Sequence, residues 1–330
     1  MSTPNLPGAA QGSWQRFLET YEPLRSELYK YCRYLTRSPW DAEDLAQDTL
    51  ARAFVTLAQM GQEPPNPRAW LFRVASNLWI DRVRRREPPT AVTDPGDNRA
   101  EPRAPREAAG TLLVKLSPQE RAAVVLKDVF DLSLDETAEA LGTTVGAVKA
   151  ALHRGRDKLA DDAAPAPTTT LTPVPAALDA FCQAFNAGDL DRLTSLLLDT
   201  AVVEVAGATT QYGPAAARRT VLTGMLFGSR RMAEAEIAGG MDPRFKQGVL
   251  PELPRCEARL HRGRWVLVHW YRHVDGEAVR AFTSVELEGD RVARLVNHFF
   301  DPDFLVDLGA ELEVPVRVNG HRFCYGGGPS

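Results

Sequence analysis

No two cysteines in the sequence have CxxC spacing: the four, Cys32, Cys182, Cys256 and Cys324, are scattered along 330 residues. That spacing argues against a disulfide framework or a zinc ribbon and suits a reducing cytoplasm. His321 and Cys324 form too small a cluster for a metal site, so no metal and no other cofactor is expected. No apolar run approaches the roughly 20 residues that span a bilayer. The start, MSTPNLPGAAQGSW, lacks the basic opening and apolar core of a signal peptide. A soluble cytoplasmic protein with no membrane contact is expected. An excess of positive charge is missing too: 39 Lys and Arg stand against 43 Asp and Glu, a net charge of −4, which argues against a strong free-standing grip on DNA phosphates.

Two stretches have the composition of linkers. EPPTAVTDPGDNRAEPRAPREAAG, from residue 87, and DDAAPAPTTTLTPVP, from residue 161, are rich in Pro and poor in apolar residues, a composition that resists packing. They divide the chain into pieces at 10–87, 110–160 and 176–330, with linkers at 88–109 and 161–175. There is no internal repeat.

Within the middle piece, LSLDETAEALGTTVGAVKAALHRGRDKLA reads as a helix-turn-helix. Ser133 and Glu136 have the spacing of a capping box. Leu134, Thr137, Ala138 and Leu141 form a buried stripe, and Gly142 suits the left-handed residue that ends a helix. A second helix turns Val145, Val148, Leu152 and Leu159 inward and shows Lys149, His153, Arg154 and Arg156 outward.

The first piece reads as helical throughout. In SPWDAEDLAQDTLARAFVTL, Ser38 caps, Pro39 takes the first helical position, and Asp41, Glu43 and Asp44 suit the positive end of the helix. Ala42, Leu45, Ala46, Thr49, Leu50, Ala53, Phe54 and Leu57 make the inner stripe, leaving Glu43, Gln47, Asp48 and Arg52 outside. After GQEPPNP comes RAWLFRVASNLWIDRVRRRE, whose inner stripe is Leu71, Val74, Ala75, Leu78 and the stem of Arg82. Six arginines face one acid between Asn66 and Arg86.

These three motifs in this order resemble the two-domain core of an extracytoplasmic-function sigma factor of the sigma-70 family, over residues 14–160. The resemblance implies an all-α region 2 bundle at 10–87 and an all-α region 4 helix-turn-helix at 110–160. It also implies an alternative sigma factor that binds core RNA polymerase and directs promoter-specific initiation. Asp41, Asp44, Leu45, Gln47 and Asp48 would meet the beta-prime clamp, while region 4 would meet the beta flap. Arg73, Asn77, Arg84 and Arg85 would read the minus-ten element as single-stranded DNA, with Trp70, Phe72 and Trp79 as candidate stacking surfaces, although aromatics at helical spacing are more often core. Lys149, His153, Arg154 and Arg156 would read the minus-thirty-five element. Promoter DNA can then be bound by an acidic chain, because the polymerase supplies most of the electrostatic grip and a few base contacts specify.

Beyond residue 160, ALDAFCQAFNAGDLDRLTSLLLDTAVVEV reads as helix, turn, helix and strand, and RCEARLHRGRWVLVHWYRHVDGEAVRAFTSVELEGDRVARLVNHFFD as four strands. Arg262-Gly263, Asp275-Gly276 and Gly289-Asp290 mark the turns. Val279, Ala281, Thr283, Val285 and Leu287 alternate with Arg280, Phe282, Ser284 and Glu286, as in a half-buried strand. This piece, 176–330, resembles the SnoaL-like, nuclear-transport-factor-like α+β cone, and the resemblance implies a fused regulatory domain, expected to contact the sigma domains through the 239–254 loop or a tail carrying Phe323 and Tyr325. His269, Tyr271 and His298 are candidate lining of a pocket for a small ligand. No Asp–His pair stands out at a defined spacing, so an enzyme is not expected. Two alternatives stay open: a polymerase-independent helix-turn-helix regulator, and an enzyme in which the cone domain is primary.

Overall fold

The structure, a computed structural model, describes residues 15, 17–60, 62–86, 113, 116–160, 173–240 and 248–318. Two units divide the chain, Met1–Thr168 and Thr169–Ser330. Residues 88–109 and 161–172 of the expected linkers, 241–247 of the expected contact loop, and the tail with Phe323 and Tyr325 lie outside the described residues.

Proline opens three helices of the first unit, where its missing N–H costs nothing and its fixed φ suits the first turn. Helix α1 (Arg25–Thr36) ends on Arg37 at φ 64°. Helix α2 (Pro39–Met60) starts as expected, with Ser38 Oγ accepting the Asp41 N–H at 3.4 Å. Helix α3 is Pro67–Arg86. A buried ion pair ties α1 to α2: Arg25 donates to Glu43 at 2.6 Å, and Gln47 donates to the same carboxylate at 2.9 Å. The expected outward position of Glu43 is therefore corrected. It lies one turn before Gln47 on the side that α1 covers, and a buried arginine satisfies its charge.

Helix α4 (Pro118–Val124) continues through a wider turn over Val125–Val129, and α5 (Leu134–Leu141) and α6 (Val145–Ala160) follow. Both α4 and α5 begin with complete capping boxes, Ser117 with Glu120 and Ser133 with Glu136. Gly142 ends α5 at φ 60°. Gly155 lets α6 press on α4, since a Cβ there would meet Val124 Cγ2 at 2.9 Å. Phe130 joins this hairpin to the first three helices, its ring lying 5.4 Å from Phe72 and 5.8 Å from Tyr31. Arg121 donates to the Leu35 carbonyl at 2.6 Å and lies over Trp79. Burial, helped by the nearby Arg37, pulls the Arg121 guanidinium down to about 10.

The second unit is α+β, so the chain has the class expected: helical segments followed by an α+β domain. Helix α7 (Ala176–Asn186), α8 (Leu190–Ser195), β1 (Leu197–Val205) and β2 (Thr209–Tyr212) come first. Helix α9 (Pro214–Ala217) leads through wider turns to α10 (Ser229–Ile237). Strands β3 (Arg255–His261), β4 (Arg264–His273), β5 (Gly276–Glu288) and β6 (Arg291–His298) and helix α11 (Pro302–Glu311) complete it. The sheet order is β2-β1-β6-β5-β4-β3, and only β1 and β6 run parallel. Phe181, Phe185, Leu193, Leu222 and Leu226 pack with Val203, Leu267 and Leu295 to form the core on one sheet face.

Strand β5 departs from its half-buried expectation: residues 278–283 are all buried. Helix α11 covers the second face, with Phe304 against Phe282 and His298. A bulge adds to this. His269 pairs with Ala281 and Trp270 with Val279, so Arg280 is the extra residue on β5. It is almost wholly buried, over the rings of Tyr271 and Phe299.

Candidate polymerase and nucleic-acid interface

Helix α2 offers an acidic surface. Asp44 and Asp48 are exposed, and Asp41 and Gln47 half-buried. Leu45 is not part of this surface: it is wholly buried, which corrects its assignment as a polymerase contact. At 100° per residue it stands outside the arc of the acids, next to the buried Thr49 and Ala42, and turns into the bundle. Arg82 of α3 pairs with Asp48 and reaches the Asp44 carbonyl, so α3 braces the acidic face from behind.

Helix α3 turns Arg73, Asn77, Arg84 and Arg85 to solvent, with Arg73, Asn77 and Arg84 along one stripe. The aromatic expectation splits. Phe72 and Trp79 are buried, because the hairpin's Phe130 and Arg121 sit on them, and neither is available to a base. Trp70 is half-buried beside Tyr21. The turn of the hairpin reaches the arginine stripe itself: a Cβ on Gly142 would lie 3.6 Å from Arg73 Nη2.

On α6, Lys149, His153, Arg154 and Arg156 are all exposed. Their partners divide them. Arg154 and Lys158 donate to Glu120 at 3.1 and 2.7 Å, and Arg156 grips Asp128 with two bonds of 3.0 and 2.5 Å. His153 Nδ1 lies 2.6 Å from Asp157. Burial alone would raise the Glu120 carboxyl, but hydrogen bonds from Lys158, the Ser117 backbone and Arg154 outweigh it and bring the group down to about 2. Glu120, Arg121, Asp128 and Lys158 escaped the sequence reading. Only Glu120 carried a local signal, the Ser-x-x-Glu spacing with Ser117.

In the second unit the three candidate pocket residues do not converge. His269 Nε2 meets Thr283 Oγ1 at 2.8 Å, and Asn297 donates to the same oxygen. Thr283 pairs with Asn297, while its neighbour Phe282 pairs with His298. Alternation along the strand therefore puts His269 and His298 on opposite faces of the sheet. Tyr271, two residues after His269 on β4, shares the His269 face and is pushed up to about 12 by burial. Burial drives His269 down to about 3, leaving a neutral imidazole. His298 Nδ1 meets Asp301 at 2.9 Å, a buried pair formed only when the chain turns from β6 into α11. Among the described residues no cluster of three or more His, Cys, Asp or Glu is suited to a metal, and no helix is long and apolar enough to cross a membrane.

Two family models match the chain: Sigma-70 region 2 over residues 20–88, and Sigma-70, region 4 over residues 106–159. The ECF RNA polymerase sigma factor SigG of Mycobacterium tuberculosis is 32% identical over 243 residues, 61% of this chain and 64% of the relative. The match thus spans just under two thirds of that relative's length. RNA polymerase sigma-E factor of Streptomyces coelicolor is 31% identical over 156 residues, 46% of this chain and 88% of the relative. Among solved structures, the extracytoplasmic function sigma factor SigJ of Mycobacterium tuberculosis aligns at 22% identity over 87% of this chain and 98% of that one, with a TM-score of 0.32. With both sigma regions matched in order and most of one such relative covered, the chain belongs to the extracytoplasmic-function family of RNA polymerase sigma factors.

Proposed function

We propose that this protein binds core RNA polymerase and directs promoter-specific initiation in the cytoplasm, with its second unit acting as a built-in regulator rather than an enzyme. The observation that carries the reading is the pairing, on one chain, of the acidic surface of α2 with the exposed Arg73, Asn77 and Arg84 stripe of α3. Asp41, Asp44, Gln47 and Asp48 meet the beta-prime clamp, and the hairpin of α5 and α6 meets the beta flap and the minus-thirty-five element. Arg73, Asn77, Arg84 and Arg85 hold the single-stranded minus-ten element, their cations on phosphates and the amide on a base edge.

The second unit regulates by docking on the sigma helices and by taking a small ligand on the His269 and Tyr271 face. The non-enzymatic reading draws support from the histidines themselves. His269 is neutral and bonded to Thr283, and the His298–Asp301 pair fastens the turn between β6 and α11.

Run-off transcription with purified core polymerase tests this, comparing full-length protein with residues 1–160 and 1–310. A discrete start site from full-length protein is expected, with a different yield from the 1–160 form. Absence of polymerase binding by every form would leave a polymerase-independent DNA binder. Equal yields from all forms would remove the regulatory role of the second unit.

A further inference from the structure

Two thiols separated by 74 positions in sequence come together in the second unit. Cys182 Sγ on α7 lies 3.7 Å from Cys256 Sγ on β3, both as free thiols. An adjacent clamp holds them there. Asn186, one helical turn after Cys182 and so on the same side of α7, accepts the Cys256 N–H at 2.6 Å and donates to the Cys256 carbonyl at 3.0 Å. The last turn of α7 is thereby locked in register with one residue of the edge strand, and that residue is the second cysteine. A disulfide needs its sulfurs at about 2.0 Å, and the Asn186 clamp already holds the two backbones that carry them together. Buried cysteine often packs as a small apolar residue. Cys32 on α1 does so, alone and with its thiol pushed well up by burial.

We propose that Cys182 and Cys256 form a peroxide-oxidisable dithiol, a site of reversible disulfide formation that links the first helix of the second unit to its edge strand. Cys182 reacts first. It keeps 8% exposure against 2% for Cys256, and the hydrogen bond from Cys256 draws its thiol down in spite of burial and the carboxylates of Asp179 and Glu257. Burial holds the Cys256 thiol well up, which suits a resolving partner better than an attacking one. Directly across the ladder from Cys256, on the same sheet face, stands His269. Its Nδ1 has no hydrogen-bond partner among the described residues.

In the first step the Cys182 sulfur attacks one oxygen of hydrogen peroxide. An S–O bond forms, the O–O bond breaks, and the departing hydroxide leaves as water with the thiol proton. In the second step the Cys256 sulfur attacks the sulfenic sulfur. The S–S bond forms, the S–O bond breaks, and a second water leaves with the Cys256 proton. Two thiols are oxidised and one peroxide is reduced.

The test uses the full-length chain treated with hydrogen peroxide, blocked with an alkylating agent and mapped by mass spectrometry without reductant. A peptide linking Cys182 to Cys256 is expected, lost on adding dithiothreitol, while Cys32 remains alkylated. Cys256→Ser is expected to trap Cys182 as a dimedone adduct, whereas Cys182→Ser leaves Cys256 unmodified. The proposal falls if no linked peptide forms at peroxide levels that oxidise glutathione in the same tube. It also falls if Cys182 pairs with Cys324, or if it is over-oxidised to sulfinic acid with Cys256 present. These readouts do not depend on transcription, so the dithiol and the regulatory reading of the second unit stand or fall separately.

Discussion

Helices α3 and α6 both present arginines to solvent, yet they hold them in different electrical states. No carboxylate among the described residues pairs with Arg73, Arg84 or Arg85 on α3. On α6, Arg154 and Lys158 share Glu120, and Arg156 is gripped by Asp128. A phosphate approaching α3 meets cations that no carboxylate among the described residues holds. One approaching α6 must compete with carboxylates already in place, so the hairpin's basic face costs the folded chain little self-repulsion and gives weak attraction to arbitrary DNA. The −4 net charge is thus not evenly distributed: α3 carries a local cationic stripe, and α6 carries cations largely neutralised by its own domain.

Removing the α3 stripe gives the largest effect. Arg73→Ala combined with Arg84→Ala should lower run-off transcription at least tenfold, at about 1–3 kcal/mol per lost contact, while leaving the urea midpoint of the protein near wild type. A loss of similar size from Arg154→Ala would erase the contrast between the helices.

Next comes Glu120→Gln, which removes the shared carboxylate and weakens a capping box, with an expected cost of about 1–2 kcal/mol in the urea denaturation of the first unit. The pH dependence has a definite sign. A carboxyl lowered in the folded state stabilises the protein above its ordinary value and loses that contribution as pH falls toward the folded value. Wild type should therefore lose stability between about pH 4.5 and 2 more steeply than Glu120→Gln, read as Tm against pH.

Asp128→Asn releases Arg156 and should raise affinity for duplex DNA a few-fold, in line with an exposed ion pair of at most about 1 kcal/mol. Fluorescence anisotropy at two salt concentrations measures it, and an unchanged affinity would mean that Arg156 points away from DNA. Smallest is Lys149→Ala, which should reduce the salt slope of binding by about one with little effect on which sequence is bound.

Legibility in the sequence followed interaction range. The capping box at Ser133, the turn at Gly142 and the strand turns at Arg262-Gly263 and Asp275-Gly276 each depend on residues within a few positions of one another, and all were readable. Glu43 was not, and Phe72 and Trp79 were readable only as aromatics at helical spacing, which are more often core than stacking surface. Each lies just off its helix's main apolar stripe, on a side that a second neighbour covers: α1 over Glu43, the hairpin's Phe130 over Phe72, and Arg121 over Trp79. Periodicity reveals that a helix has a buried stripe, but a helix packed on two sides has two. The same cause misled the reading of β5, where α11 buries the face on which Arg280 and Phe282 were expected to meet water.

By itself, the sequence determined the helices α2, α3, α5 and α6, the helix, turn, helix and strand that open the second unit, and the turns between β3, β4, β5 and β6, while β2, α9, α10 and α11 were not read from it. Backbone geometry and capping are settled between near neighbours whatever the rest of the chain does. Tertiary structure alone decided who meets whom over long separations. It buried Glu43 against Arg25, set Arg154 and Lys158 on Glu120, sent His269 and His298 to opposite faces of the sheet, and brought Cys182 to Cys256. Those pairings depend on how sheet and helices stack, where shifting a strand by one residue exchanges its two faces, and no local spacing in the chain encodes that choice.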